Sequence, residues 1–361
     1  MMPYFCEIFG NAASTDHLHG LKAKKAVQEA RKAIADMLGC RKENEIIFTS
    51  GATESNNLAL MGIFRKFRSK GNHIISSVIE HPSILDTLEH LKSEGADVTL
   101  VPVDRYGTID LEFLQNAIRK ETILISIMFA NNEIGTIQPI KKIGQLAKDN
   151  SIIFHTDAAQ AAGHIKIDVY DLNIDLLSFS AHKFYGPKGI GGVFVRSFAP
   201  HIKLNPILFG GGQERGMRSG TLNVPSIVGM CEALSIATKE SNTENIRLRK
   251  LSNKIFSYLK ENFPNIMLNG HPENKLAHNI SILLPGVESK ALIHLLKDKI
   301  SFSASSACST TKVEPSYVLK AIGLSDVETY HTIRLGLGRD TEDYGIEKII
   351  SDGIKQLIGC A

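Results

Sequence analysis

Between Glu45 and Val195 the chain alternates short apolar runs with helical patterns, and this alternation restricts the fold more than any other feature. The runs "EIIFTS", "HIISSVI", "DVTLVPV", "TILISIMFA", "SIIFHTDA", "DLLSFS" and "GGVFV" have the length and β-branched content of buried strands. Helical spacing marks Thr53 to Phe64, Pro82 to Lys92 and Asp110 to Lys120 among them. An amphipathic pattern from Gly20 to Leu38 precedes them, with Gly39 as its stop signal. Such alternation predicts an α/β fold whose mostly parallel sheet is covered by helices on both faces, with ligands outside the carboxyl ends of the strands. After Pro225 the texture changes. Long helices, Ser226 to Lys239 and Thr243 to Asn262, lead to "AHNISILL", a helix from Ser289 to Lys297, "ISFSASSACS", "TIRLGLG" and a last helix from Thr341. This reads as a smaller α+β unit with its own sheet. No Pro- or Ser-rich linker separates the two, so the boundary falls along a helix, near residue 235. The expected organisation is a segment 1–19 packing with the small domain, a large domain 20–235 and a small domain 236–361.

Bulk properties exclude several function classes. With 43% hydrophobic and 22% charged residues and a formal net charge of +3, the chain has the balance of a soluble globular protein and no charge excess to hold nucleic acid or a membrane surface. Five cysteines are scattered without a C-x-x-C pair, which argues against a disulfide framework and a zinc ribbon, and no metal site is expected. The start "MMPYFCEIFG" lacks the features of a signal peptide, and no run reaches the length of a membrane span. A reducing cytoplasm is the expected location.

The polar residues cluster where the expected strands end. Lys183, in "DLLSFSAHKFYGPKGIGGVFVR", stands between two core elements. A lysine there either snorkels to water from its loop or serves as an amine nucleophile whose pKa is lowered by desolvation. "SGATESNN" offers a turn at Gly51 and a helix opening at Ala52 and Thr53, which is either a simple N-cap by Ser50 or Thr53 or an anion site. His81 stands just ahead of a helix begun by Pro82. Asn131, Asn132 and Glu133 follow one strand, and Asp157 and Gln160 close another. Each is commonplace alone. Together they match what pyridoxal phosphate requires: a Schiff-base lysine, a carboxylate that keeps the ring nitrogen protonated, donors for the phenolic oxygen and an anion site for the phosphate. Asp157, Asn132 or Gln160, Lys183 and the turn from Gly51 to Thr53 supply these.

The stretches "TSGATESNNLAL", "EHPSILDTL", "ANNEIGTIQPI", "FHTDAAQAAG", "SFSAHKFYGPKGIGG", "GGGQERGMRSGT" and "SSACSTTKVEPSYVLKAIG" together resemble the cysteine desulfurases of the NifS and IscS type, within the class V aminotransferase family, from about Phe9 to about Thr341. The resemblance implies a fold-type I pyridoxal phosphate enzyme, with a seven-stranded, mostly parallel sheet in its large domain and a smaller α+β domain. It implies a homodimer that converts L-cysteine to L-alanine and moves sulfur onto Cys308. By the same resemblance, Lys183 holds the cofactor, His81 stacks on its ring and assists proton transfer, and Asp157 pairs with the ring nitrogen. Gln160 bonds the phenolic oxygen, and Asn132 lies beside that oxygen and the substrate carboxylate. The phosphate is held by Ala52, Thr53, Ser180 and His182, and by Thr221 from the partner subunit. Arg334 clamps the substrate carboxylate, for which a bidentate fork is the right shape. The small polar neighbours of Cys308 fit an exposed loop that carries a persulfide to an acceptor protein. Cys6, Cys40, Cys231 and Cys360 lie in or beside apolar patterns and are expected to be packed.

The sequence begins at Met1, after the point where the family usually has a short first strand and an Asn-Ala-Thr-Thr type turn, so either the true start lies upstream or the pocket is completed differently; it runs to Ala361, directly after its last helix, where housekeeping members often continue into a scaffold-docking tail. Iron–sulfur assembly, transfer-RNA thiolation and DNA phosphorothioation all draw on such enzymes, and "FGNAASTDHLHG" with the short C-terminal end favours the last. The rival readings are a selenocysteine lyase or another enzyme on the same fold, and a non-catalytic sulfur-relay subunit.

Overall fold

The computed structural model describes residues 1–304 and 314–359. The chain divides into two compact units: Met1–Val101, Leu111–Phe129 and Pro139–Ser241 form the first, and Pro102–Asp110, Ala130–Gln138 and Asn242–Ala361 the second.

The first unit is built on a seven-stranded sheet of β1 (Ile46–Thr49), β2 (His73–Ser77), β3 (Asp97–Val101), β4 (Thr122–Ser126), β5 (Ile153–Asp157), β6 (Leu176–Ser180) and β7 (Gly191–Val195). Their order is β1-β7-β6-β5-β4-β2-β3. β3, β2, β4, β5 and β6 pair in parallel, whereas β7 runs antiparallel to both β1 and β6. The reversal has a simple cause. Only residues 181–190 join β6 to β7, and a parallel return needs a crossover of about a dozen residues or more. Every residue of β1, β2, β4, β6 and β7 is buried, the pattern of strands covered on both faces.

The helix Ala52–Phe67 inserts Leu58, Leu60, Ile63 and Phe64 into this core, where Ile84 and Leu91 of the helix Pro82–Ser93 join them. Each such side chain removed from water contributes about 1.5–3 kcal/mol, which fixes both helices on the sheet. The helix Leu18–Met37 starts at His17, whose Nδ1 accepts the Gly20 N–H at 3.1 Å, and stops where Gly39 takes φ +70°. A further helix, Ile140–Asp149, went unread in the sequence.

Residues 1–19 group with this first unit and not with the smaller one as expected, and the Met1 side chain packs against Gly229 there. The boundary lies at Ser241, and the smaller unit also takes two earlier pieces, which a single cut near residue 235 leaves out. One helix of 39 residues, Val224–Asn262, stands where two were expected. The polar stretch "KESNTEN" within it contains neither Gly nor Pro, so nothing breaks it.

The second unit holds β8 (Met267–Asn269), β9 (Asn279–Leu283), β10 (Ser303–Ala304) and β11 (Thr332–Gly336), all antiparallel, in the order β10-β11-β9-β8. Ile255, Leu259, Ile280, Ile282, Ile333 and Ile350 form its core. Among the described residues no helix is long and apolar enough to cross a membrane.

Candidate active site

In the first unit the polar groups gather beyond the carboxyl ends of the strands. After β1 the chain turns at Gly51, the N-cap of the helix Ala52–Phe67, and no side chain caps it. The Ser50 N–H donates instead to Glu54 Oε2 at 2.7 Å, so neither Ser50 nor Thr53 acts as a cap and the first N–H groups of the helix are left for an anion. A Cβ at Gly191 would stand 2.5 Å from the Phe179 carbonyl oxygen and 2.7 Å from Gly51 Cα, so only glycine lets this turn lie against the sheet. The turn thereby meets the end of β6. The Ser180 hydroxyl lies 3.4 Å from the place of a Gly51 Cβ and hydrogen-bonds His182 Nδ1 at 2.9 Å. The turn ahead of Ala52 and Thr53 thus lies beside Ser180, which is bonded to His182. Burial, with help from Lys183 and Lys188, lowers the His182 pKa.

Lys183 follows in the 3-10 turn Ala181–Phe184, which ends with Tyr185 at φ +66°. Its side chain is exposed, and its carbonyl oxygen accepts a hydrogen bond from His164 Nε2 at 2.9 Å. Asp157 closes β5 with only 5% of its surface accessible. Its Oδ1 accepts the Ala159 N–H at 2.8 Å and its Oδ2 accepts from Asn56 Nδ2 at 2.7 Å. Burial still pushes the carboxyl above its ordinary pKa, against these donors and the charges of His81 and Lys183. His81 caps the helix Pro82–Ser93, with Pro82 at the first helical position. Burial lowers its pKa, and Lys183 lowers it further, while Asp157 and Asp86 pull it up. Asp157, His81 and Lys183 therefore act electrostatically on one another. Gln160 lies half-buried in the turn after β5, and Thr221 lies exposed in the loop before the helix Val224–Asn262.

In the second unit Arg334 of β11 donates from Nη1 to the Asn132 carbonyl at 3.0 Å, and Asn279 Nδ2 donates to the same oxygen at 3.2 Å. The turn that carries Asn132 is held by Asn131, whose Oδ1 accepts the N–H groups of Glu133 and Ile134 at 2.8 and 3.0 Å. Glu133 is buried and its pKa is raised by that burial, against a Ser316 hydroxyl and the Arg334 charge. Cys308 and Cys360 lie outside the described residues. Cys6 is exposed, not packed, because the short helix Pro3–Cys6 buries none of its residues. Cys40 and Cys231 are half-buried, and burial raises both thiols.

Three residues at this site carry no strand-end signal: Asn56, Ser83 and His164. A buried asparagine inside a helix is the one sign that sequence could have offered, since asparagine is a poor helix former.

These groups fit pyridoxal phosphate. A carboxyl driven upward by burial gains most from a cationic neighbour such as a protonated pyridine nitrogen, the uncapped helix start suits a phosphate, and Lys183 supplies an amine on the adjoining strand end.

Comparison with known proteins agrees. The aminotransferase class-V family matches residues 1–349. Cysteine desulfurase IscS of Methanosarcina thermophila is 48% identical over 351 residues, covering 97% of this chain and 85% of that protein. Among solved structures, a NifS-like protein superposes with a TM-score of 0.90 at 34% identity, covering 99% of this chain and 94% of the other. SspA in complex with cysteine superposes with a TM-score of 0.80 at 38% identity, covering 93% and 92% of the two chains. With the family match spanning residues 1–349 and a relative 48% identical over 97% of the chain, the chain belongs to the aminotransferase class-V family, the pyridoxal phosphate-dependent family to which cysteine desulfurases belong.

Proposed function

We propose that this protein is a pyridoxal phosphate-dependent cysteine desulfurase that converts L-cysteine to L-alanine and takes the sulfur onto Cys308 as a persulfide. The observation that carries the reading is the buried Asp157, joined through side chains to His81 and within the electrostatic reach of Lys183. When bound, the cofactor withdraws electrons from the substrate carbon framework. Lys183 would hold it through its amine, and Asp157 would keep its ring nitrogen protonated. His81 would contact the ring and move protons, while Gln160 and Asn132 would bind the phenolic oxygen. Ala52, Thr53, Ser180 and His182 would hold the phosphate of their own subunit, and Thr221 that of the other subunit of a homodimer. Arg334, with Asn132, takes the substrate carboxylate. The Cys308 thiolate accepts the substrate sulfur, and the carbon that loses it gains a proton to become the alanine methyl, so the exchange balances without an external oxidant or reductant. The SspA complex with cysteine supports the choice of substrate.

From Cys308 the sulfur passes to an acceptor protein in the cytoplasm, for iron–sulfur assembly, transfer-RNA thiolation or DNA phosphorothioation. Copurification with a tagged bait identifies that acceptor.

The test of the reading is the Cys308→Ala variant. It should bind the cofactor and become yellow, yet form almost no alanine from cysteine. Brief exposure of the wild-type protein to cysteine should add one sulfur to the peptide carrying Cys308. Added sulfur on Cys6, Cys40, Cys231 or Cys360, or normal turnover by the variant, would show the assignment to be wrong.

A further inference from the structure

Asn56 and Ser83 join the two titratable groups of the first unit's site into one hydrogen-bonded series. Asn56 is fully buried, and both hydrogens of its Nδ2 are used: one goes to Asp157 Oδ2 at 2.7 Å and the other to Ser83 Oγ at 2.8 Å. Ser83 Oγ accepts from Asn56 and keeps its own hydrogen, and because His81 Nδ1 already accepts a backbone N–H, the Ser83 hydroxyl 2.9 Å away donates to that nitrogen as well. The Ser83 N–H donates to the same nitrogen at 3.1 Å. Two donors on Nδ1 leave no room for a proton there. The neutral ring must then carry its hydrogen on Nε2, an assignment made from the network of partners.

We propose that Asn56 and Ser83 are positioning residues that hold His81 neutral, with its proton on Nε2, beside an ionised Asp157. The inference deepens the desulfurase reading, on which its catalytic meaning rests, since His81 is the proton-moving group there.

The orientation of Asn56 gives the argument its direction. Its Oδ1 is buried without a hydrogen-bond partner, a penalty that an apolar residue at this position would avoid. The amide accepts that penalty in order to aim both hydrogens at Asp157 and Ser83. Turned over, it would set its oxygen against the Asp157 carboxylate, which is repulsive while Asp157 is ionised. Only a protonated Asp157 could donate to that oxygen, and the Ser83 hydroxyl would then turn to it as well and leave His81. The series therefore passes the charge state of Asp157 to the ring nitrogen of His81.

Its effect opposes the direct Coulombic one. The charges of Asp157 and Asp86 favour a cationic His81, while Lys183 and burial favour a neutral one. A hydroxyl that donates to Nδ1 stabilises only the neutral ring, so it offsets the pull of the two carboxylates. His81 can then stay neutral next to a carboxylate.

The experiment uses the full chain, with and without cofactor, labelled with ¹⁵N in its histidine imidazoles and assigned with His81→Gln. Nitrogen shifts report the tautomer and the titration of His81 directly, whether or not the protein desulfurates cysteine. A failed desulfurase reading would appear as absent alanine formation and leave this measurement intact. In the wild type, the neutral ring should carry its proton on Nε2. Ser83→Ala keeps the backbone donor and hence the tautomer, but it should raise the proton affinity of His81 by up to about tenfold, one unit of pH. Asn56→Ala should shift it in the same direction, and Ser83→Thr, which restores the hydroxyl, should return it to the wild-type value. If Asn56→Ala fails to fold, the two Ser83 variants decide. A proton on Nδ1 in the wild type, an unchanged titration in Ser83→Ala, or a shift that Ser83→Thr does not reverse would overturn the proposal.

Discussion

His155 should make the fold acid-sensitive by an amount that can be worked out from its surroundings. It is completely buried in β5, with Nδ1 2.9 Å from the Ser126 hydroxyl and Nε2 3.0 Å from the Ser178 hydroxyl. The ring is encased among neutral partners, and burial lowers its pKa from 6.5 to about 3. The sign follows from linkage. Below pH 6.5 the unfolded chain binds a proton at His155 that the folded chain refuses until about pH 3, so the stabilisation is complete above pH 6.5 and is lost as the pH falls. The slope is about 1.4 kcal/mol per pH unit, and between pH 7.5 and pH 5 the loss from this group comes to about 2 kcal/mol. Glu80, whose carboxyl is raised to about 8 by burial, works in the opposite sense, since its folded form binds a proton that the unfolded chain releases. Comparing wild type with His155→Gln removes Glu80 from the result. Urea unfolding of both proteins at the two pH values, followed by far-UV circular dichroism because the chain has no tryptophan, gives the four free energies needed. The wild type should lose about 2 kcal/mol more than the variant on acidification. Equal losses would refute the reasoning, whatever the absolute stability of the variant.

Asp157→Asn should retain cofactor but form alanine at least about tenfold more slowly, because an amide cannot hold the ring nitrogen protonated; full activity would make Asp157 structural only. Glu214→Ala removes a carboxylate that takes two hydrogen bonds from Arg31, at 2.8 and 2.6 Å, and one from the Phe48 N–H at 2.8 Å. With the Glu214 side chain only 2% exposed, its loss should destabilise the first unit by about 3–5 kcal/mol, measured by urea unfolding, and a loss below about 1 kcal/mol would argue that Arg31 finds other partners. Borohydride reduction of the loaded protein should fix cofactor to the peptide with Lys183 and leave Lys183→Ala unlabelled; label on Lys188 would reassign the attachment.

Most strands of the first unit were legible because burial on both faces turns each into a short apolar run, whereas the antiparallel course of β7 was not read, although the short connection from β6 carries that signal. The helix Ile140–Asp149 was less visible: it is short and carries Gly144, a poor helix former, in its middle. The two early pieces of the second unit were hidden for another reason. Each closes on itself through a local bridge, Val103 with Ile109 and Ala130 with Ile137, and one joins the rest of that unit through Thr136 and Lys275, a pairing that spans most of the intervening chain. At the site, His81, Asp157 and Lys183 announced themselves as polar residues at strand ends. Asn56 did not, since its meaning depends on Asp157, 101 positions away, and on Ser83, 27 positions away. Such partnerships are made by packing and leave no periodic trace.

The position of β1 bears on how the chain emerges from the ribosome. Among the described residues β1 lies at the edge of the finished sheet and pairs with β7, with Ile46 opposite Phe194 and Thr49 opposite Gly191. Roughly 150 residues must therefore be added after β1 is made before that pairing can form, which at about 5–20 residues per second leaves the strand waiting for roughly 7–30 seconds. During that interval the apolar "IIFT" segment offers open hydrogen-bonding edges to any neighbour, the usual setting for misassociation on a polysome. A nascent chain arrested before Gly191 should accordingly expose β1 to a holding chaperone, and one arrested well beyond Val195 should not.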